Sequence, residues 1–273
     1  MTVEAIPVSP AWLNLRERAD AAARSRELVS HLRTRLPAGG RLVIHDLACG
    51  SGAMGRWLAP LLPGPQHWVL HDRDPDLLTQ AQADQPGPAA NGSTATVETR
   101  LADVTRLGQD ELADATLITA SALLDLLTAD ELVGLVRACA GAGCPVLLTL
   151  SVTGRVRWLP ADPLDSRVAA SFNAHQRRAT WRGRLLGPDA VEAAANGFRR
   201  LGAEVIVSPS PWRLGVADTS LAVEWLAGWV GAACEQEPAL AAPADLYRRR
   251  RLSDAESGCL DVTVDHADLL VLP

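Results

Sequence analysis

The chain has 273 residues, 48% of them hydrophobic and 21% charged, enough to bury the core of one large domain or of a domain with a cap. Its formal charge of −6 argues against a nucleic-acid partner, because such binding draws much of its affinity from neutralised phosphates. Every one of the 26 basic residues is arginine, so no lysine is present to act as base or Schiff-base former.

In chain order, residues 11–36 are amphipathic, with Trp12, Leu15, Ala19, Ala22, Val29, Leu32 and Leu36 near one stripe. The pattern predicts one helix or two short ones, an N-terminal helical cap over residues 1–40. The opening ten residues lack a basic region followed by an apolar core, and no run of about 18 apolar residues follows anywhere, so a cytoplasmic protein without a membrane segment is expected.

Residues 41–55 read RLVIHDLACGSGAMG, an apolar strand running into a turn that holds Gly50 and Gly52. A strand that carries its loop at the C-terminal end, before a helix with free N–H groups, is a site for a nucleotide-like cofactor. The string Gly50-Ser51-Gly52-Ala53-Met54-Gly55 matches the dinucleotide pattern, and Asp72 follows. The strand ends in Asp46, however, and a carboxylate repels a pyrophosphate while suiting a cationic ligand.

Residues 52–62 predict a helix stopped by Pro63-Gly64-Pro65, and residues 66–72 a second strand, with Pro75 in the first turn of the next helix. After a polar loop at 85–93, strands are expected at 96–101 and 114–121, a helix at 129–140 and a fifth strand at 145–152. A helix at 188–201 and strands at 203–208 and 260–272 complete an α/β, doubly wound, mostly parallel sheet of seven strands. The five cysteines form no CxxC, and His67 and His71 have no obvious third ligand, so neither a disulfide framework nor a metal is expected.

Four of these segments resemble, in order, the class I S-adenosylmethionine-dependent methyltransferases. They are Asp46-Leu47-Ala48-Cys49-Gly50-Ser51-Gly52, the Asp72 strand end, Leu101-Ala102-Asp103-Val104, and the strand ending at Ser121 with Ala122 to Leu127 behind it. Ala48 stands where the family usually has its first glycine. The resemblance covers residues 41–152 and implies the family's Rossmann-like fold with an antiparallel last strand. It also implies a cofactor-binding half built from Asp46, Ala48, Cys49, Gly50, Ser51, Gly52, Met54, Asp72, Arg73, Asp103, Val104 and Ser121. Asp72 would take the ribose hydroxyls, Asp103 and the next N–H the adenine, and Arg16 or Arg18 the methionine carboxylate.

Residues 153–187 and 209–258 fall outside the common core and are expected to be cap insertions that select the substrate of a single domain, 1–273. The first holds Trp158, Asn173, His175 and Trp181, a mixture suited to a pocket for a flat polar molecule or to a packed cap helix. His175 is the candidate base, because imidazole titrates near neutrality, and Asp125 is a candidate substrate contact. Arg177, Arg178, Arg182 and Arg184 add a basic cluster to this insertion, and the run 248–251 reads as solvated or ion-paired surface. Residues 220–234 predict a helix whose Trp225 and Trp229 share a face, for core packing or a dimer contact. The resulting expectation is a methyltransferase for a small-molecule acceptor. The alternatives are a nicotinamide-dependent oxidoreductase and a non-catalytic binding protein of the same fold.

Overall fold

The computed structural model describes residues 8–273. The first seven residues of the expected N-terminal cap lie outside the described residues. The amphipathic stretch forms two helices, α1 (Pro10–Ala23) and α2 (Arg26–Arg33), broken where Ser25 turns to cap α2 by accepting from Leu28 N at 3.3 Å.

Alternating elements follow: β1 (Leu42–Leu47), α3 (Ala53–Leu58), β2 (Gln66–Asp72), α4 (Pro75–Ala83), β3 (Ala95–Leu101), β4 (Leu117–Ser121), α5 (Ala129–Gly141) and β5 (Val146–Leu159). Next come α6 (Asp165–Gln176), a hairpin of β6 (Ala179–Thr180) and β7 (Gly183–Arg184), α7 (Ala190–Arg200), β8 (Glu204–Pro209) and β9 (Trp212–Leu214). The chain closes with α8 (Thr219–Gln236), α9 (Ala241–Glu256) and β10 (Asp261–Leu272). Local signals set several of these boundaries. Pro75 opens α4 behind Asp74, whose side chain accepts from Asp76 N and Leu77 N, and Thr128 with Glu131 forms a complete capping box on α5.

The main sheet runs β3-β2-β1-β4-β5-β10-β8, with β10 antiparallel to both neighbours and β9 paired to its outer half. The doubly wound sheet with an antiparallel last strand is therefore as the sequence implied, and its order reverses between β1 and β4. Ligands of open α/β sheets bind at such a switch point, outside the strand C-termini. The register there sets Asp46 opposite Thr119 of β4 and Leu47 opposite His71 of β2.

Central strands bury both faces, which is why they read as continuous apolar runs. Leu147, Leu270 and Leu272 face α2 and α3, while Val146, Leu148, Leu269 and Val271 face α5 and α7.

The structure differs from the sequence expectation in three ways. The fifth strand does not stop at residue 152 but runs to Leu159, paired with β10 up to Asp261. Helix α3 ends at Leu58 and a 3-10 turn finishes the expected segment. The projecting ribbon of β5, β9 and β10 then carries a third hydrophobic cluster with α8 and α9, formed by Trp158, Trp212, Trp229, Tyr247 and their neighbours. Strand ends that outrun the core stay apolar on one face only when something covers them, and here the two insertions do so together.

Candidate functional site

Asp46, next to the last residue of β1, is fully buried, with Oδ1 accepting from Thr119 Oγ1 at 2.7 Å and Oδ2 without a partner. Burial pushes its carboxyl up to about 7, against the pull of Thr119 and Arg24. The chain then turns through Ala48 at φ +53, Gly50 at φ +55 and Gly52 at φ +83. Ala48 thus takes a left-handed backbone that favours glycine.

Asp72, at the end of β2, holds the loop: its Oδ2 accepts from Gly50 N at 2.8 Å and its Oδ1 from Asp74 N at 3.0 Å. Cys49 N donates to His71 O at 2.9 Å, and Gly52 N to Cys49 O at 3.0 Å. Cys49 is buried and its thiol is raised by burial and by Asp46 and Asp72, so it is an inert filler of the turn. Ser51 is buried with its hydroxyl unpartnered, and Met54 points into the core beneath α3. Arg73 is exposed. Asp103 accepts from Thr105 N and Oγ1 at 3.1 and 2.7 Å, and Val104 is buried beside it.

Helix α1 lies across this loop. Leu13 sits where a Cβ on Gly50 would come within 3.3 Å of it, Asn14 accepts from Gln80 of α4, and Glu17 pairs with Arg56 of α3 at 2.7 Å. Its other face reaches the cap: Asp20 accepts from Arg16 Nε and from Trp212 Nε1, both at 2.9 Å. Arg16 is therefore committed to Asp20 and stacked over Trp212, and Arg18 is an exposed partner of Asp218.

The guanidinium that reaches the strand ends at the switch point is Arg24, which no sequence signal singles out because it is one of many arginines in an amphipathic stretch. It is 3% exposed and donates from Nη2 to Ser121 Oγ at 3.1 Å, beneath the Trp57 ring. Ser121 in turn accepts from Thr149 Oγ1 at 3.1 Å. Asp268 of β10 braces the same wall, accepting from Leu150 N and Ser25 N, both at 2.8 Å, and from Ser210 Oγ. The non-glycine left-handed residues Ala48, Ala122 and Leu150 all follow or lie in strands at this edge, a concentration typical of functional sites.

The structure brings Asp46, Gly50, Gly52, Asp72 and Ser121 together, but not the expected acceptor group. Trp158 is a correction: it is buried against Trp225 and Trp229, at ring distances of 5.6 and 5.4 Å, and packs the cap instead of facing a pocket. Trp181 is 74% exposed on the β6–β7 turn. His175 Nε2 lies 3.1 Å from Glu235 of α8, and Asn173 donates to Gly154 O, so both serve α6 packing rather than the loop. Asp125 follows β4, half-buried, with its carboxyl pushed up to about 6 by burial and drawn back by Arg16. The basic run is ion-paired at Arg248, Arg250 and Arg251.

No protein-family profile and no curated protein sequence matches the chain. Among solved structures, the cyclopropane synthase MmaA2 from Mycobacterium tuberculosis is 12% identical, with 97% of this chain and 95% of that one covered and a TM-score of 0.52. The mycolic acid cyclopropane synthase CmaA1 complexed with SAH and CTAB is 13% identical over 96% and 99%, at a TM-score of 0.49. A SAM-dependent methyltransferase from Geobacter sulfurreducens in complex with S-adenosyl-L-homocysteine is 15% identical over 97% and 98%, at 0.46. Taken with the strand order and the antiparallel β10, the first similarity shows that the chain has the fold of the class I methyltransferases.

Proposed function

We propose that the protein binds S-adenosyl-L-methionine and transfers its methyl group to a small-molecule acceptor. The observation that carries this reading is Asp46, a buried carboxylate at the switch point with one oxygen unpartnered. Buried polar atoms have partners in native folds, and an orphaned acceptor beside a left-handed loop fits an ammonium group. Each oxygen of Asp72 holds one backbone N–H and keeps a second acceptor position, which suits two ribose hydroxyls.

When bound, the cofactor supplies a methyl group already activated on a sulfonium. The chain's own work is then to align, to exclude water and to hold a proton. Helix α1 covers the loop through Leu13, and Trp12 and Trp212 wall the cap side at a ring distance of 6.3 Å. Asp125 fits the role of proton acceptor better than His175, since it follows β4, the neighbour of β1 at the switch point, while His175 is bound to Glu235.

Calorimetric titration with S-adenosylmethionine, S-adenosylhomocysteine and NAD tests the reading. Binding of the first two without NAD is expected; binding of NAD alone would replace the proposal with the oxidoreductase alternative. Formation of S-adenosylhomocysteine on adding a cell extract, above that from the extract alone and absent without it, separates an enzyme from a binding protein.

A further inference from the structure

We propose that Arg24 is a buried receptor for a carboxylate. Its guanidinium, always charged, makes one hydrogen bond to Ser121, and its Nε and Nη1 are buried with no partner. Nη2 carries two hydrogens and Ser121 takes one. At least one edge of the fork therefore keeps a complete pair of donors, the arrangement that receives a carboxylate in bidentate fashion.

The neighbouring acids do not fill it. Asp20 is held by Arg16 and Trp212, Asp268 by Leu150 N, Ser25 N and Ser210, and Asp46 by Thr119. Among the described residues none of the three forms an ion pair with Arg24, although all three act on it through space or from nearby, with Arg16 opposing them. A buried charge left so incompletely paired is retained where a ligand completes it. With Asp20, Asp46 and Asp268 close by, a planar monoanion fits better than a phosphate dianion. A ligand bearing both ions matches further: a carboxylate at Arg24 and an ammonium at the free oxygen of Asp46 satisfy both orphans at once.

Two sources offer this carboxylate, the amino-acid tail of the proposed methyl donor and an acceptor that is itself a carboxylic acid. The first rests on the methyl-donor reading, and the second does not need the tail. The test uses the full chain and three probes: S-adenosylhomocysteine, 5′-methylthioadenosine, which lacks the amino-acid tail, and benzoate. If the tail is the ligand, Arg24→Met weakens S-adenosylhomocysteine about 10- to 100-fold and leaves methylthioadenosine within about twofold. The Arg24 Nε–H resonance of the wild type also shifts on adding S-adenosylhomocysteine, a readout that requires no variant to fold.

If the acceptor is the source, the variant binds S-adenosylhomocysteine normally. The wild-type resonance, in protein saturated with that ligand, then shifts saturably with benzoate. Unchanged affinity together with a resonance that benzoate does not move overturns the proposal. Should the wild type bind neither adenosine compound, the methyl-donor reading fails by itself. Benzoate titration of the ligand-free protein then decides the carboxylate site, a saturable shift supporting it and no shift overturning it.

Discussion

In the proposed site, Asp46 couples methyl-donor binding to pH. A carboxyl held at about 7 in the folded chain favours folding below its ordinary value of 3.8, and that contribution is lost as pH rises through about 7. Binding of an ammonium needs the ionised form, so S-adenosylhomocysteine affinity should rise about tenfold between about pH 6 and about pH 8. Calorimetry across that range in wild type and Asp46→Asn checks it: the variant should bind weakly and without the pH dependence. Asp72→Ala removes the acceptor for two backbone N–H groups and two proposed hydroxyls, and should cost about 1.5–3 kcal/mol of cofactor binding, roughly 10- to 100-fold. Unchanged affinity there would mean that the ribose lies elsewhere. Both acids were legible in the sequence because each ends an apolar strand. Arg24 was not, since its isolation comes from burial and not from spacing.

Helix ends are fixed by contacts a few residues apart, whereas the glycine loop is held by Asp72 at the end of the next strand. Thr128 Oγ1 accepts from Glu131 N at 3.3 Å while Glu131 Oε2 accepts from Thr128 N at 2.8 Å, so Thr128→Ala should destabilise the fold by about 1 kcal/mol. Denaturant unfolding of the variant measures this, and a change within error would mean that α5 is held by packing alone. Gly50→Ala places a Cβ at φ +55 and 3.3 Å from Leu13, straining the loop and pushing on α1. A loss of about 1–2 kcal/mol is expected, with faster proteolysis of α1 as its local sign. Helix α1 was readable as amphipathic, but which faces it covers was not. Leu13 on Gly50, Glu17 on Arg56 and Asp20 under Trp212 are contacts between segments far apart in the chain.

Across the whole molecule, two hydrophobic clusters flank the sheet and a third lies under the cap. Trp229 is among the largest buried side chains of the third, and Trp229→Ala should cost about 3–5 kcal/mol while leaving S-adenosylhomocysteine affinity within about twofold. A thermal melt read beside calorimetry tests it; parallel loss of both would mean that the cap and the half that carries the glycine loop are one cooperative structure. Among the described residues no helix is long and apolar enough to cross a membrane. The sequence by itself determined the alternation of strands and helices, the order of the acidic strand ends and the glycine loop, because those depend on periodicity and on residues a few places apart. Only the tertiary structure decided the rest: that β5 and β10 extend together into the cap, that Trp158 is core, that His175 belongs to Glu235, and that Arg24 reaches Ser121. Each of these depends on which distant segment supplies the burial or the partner, and no local pattern records that choice.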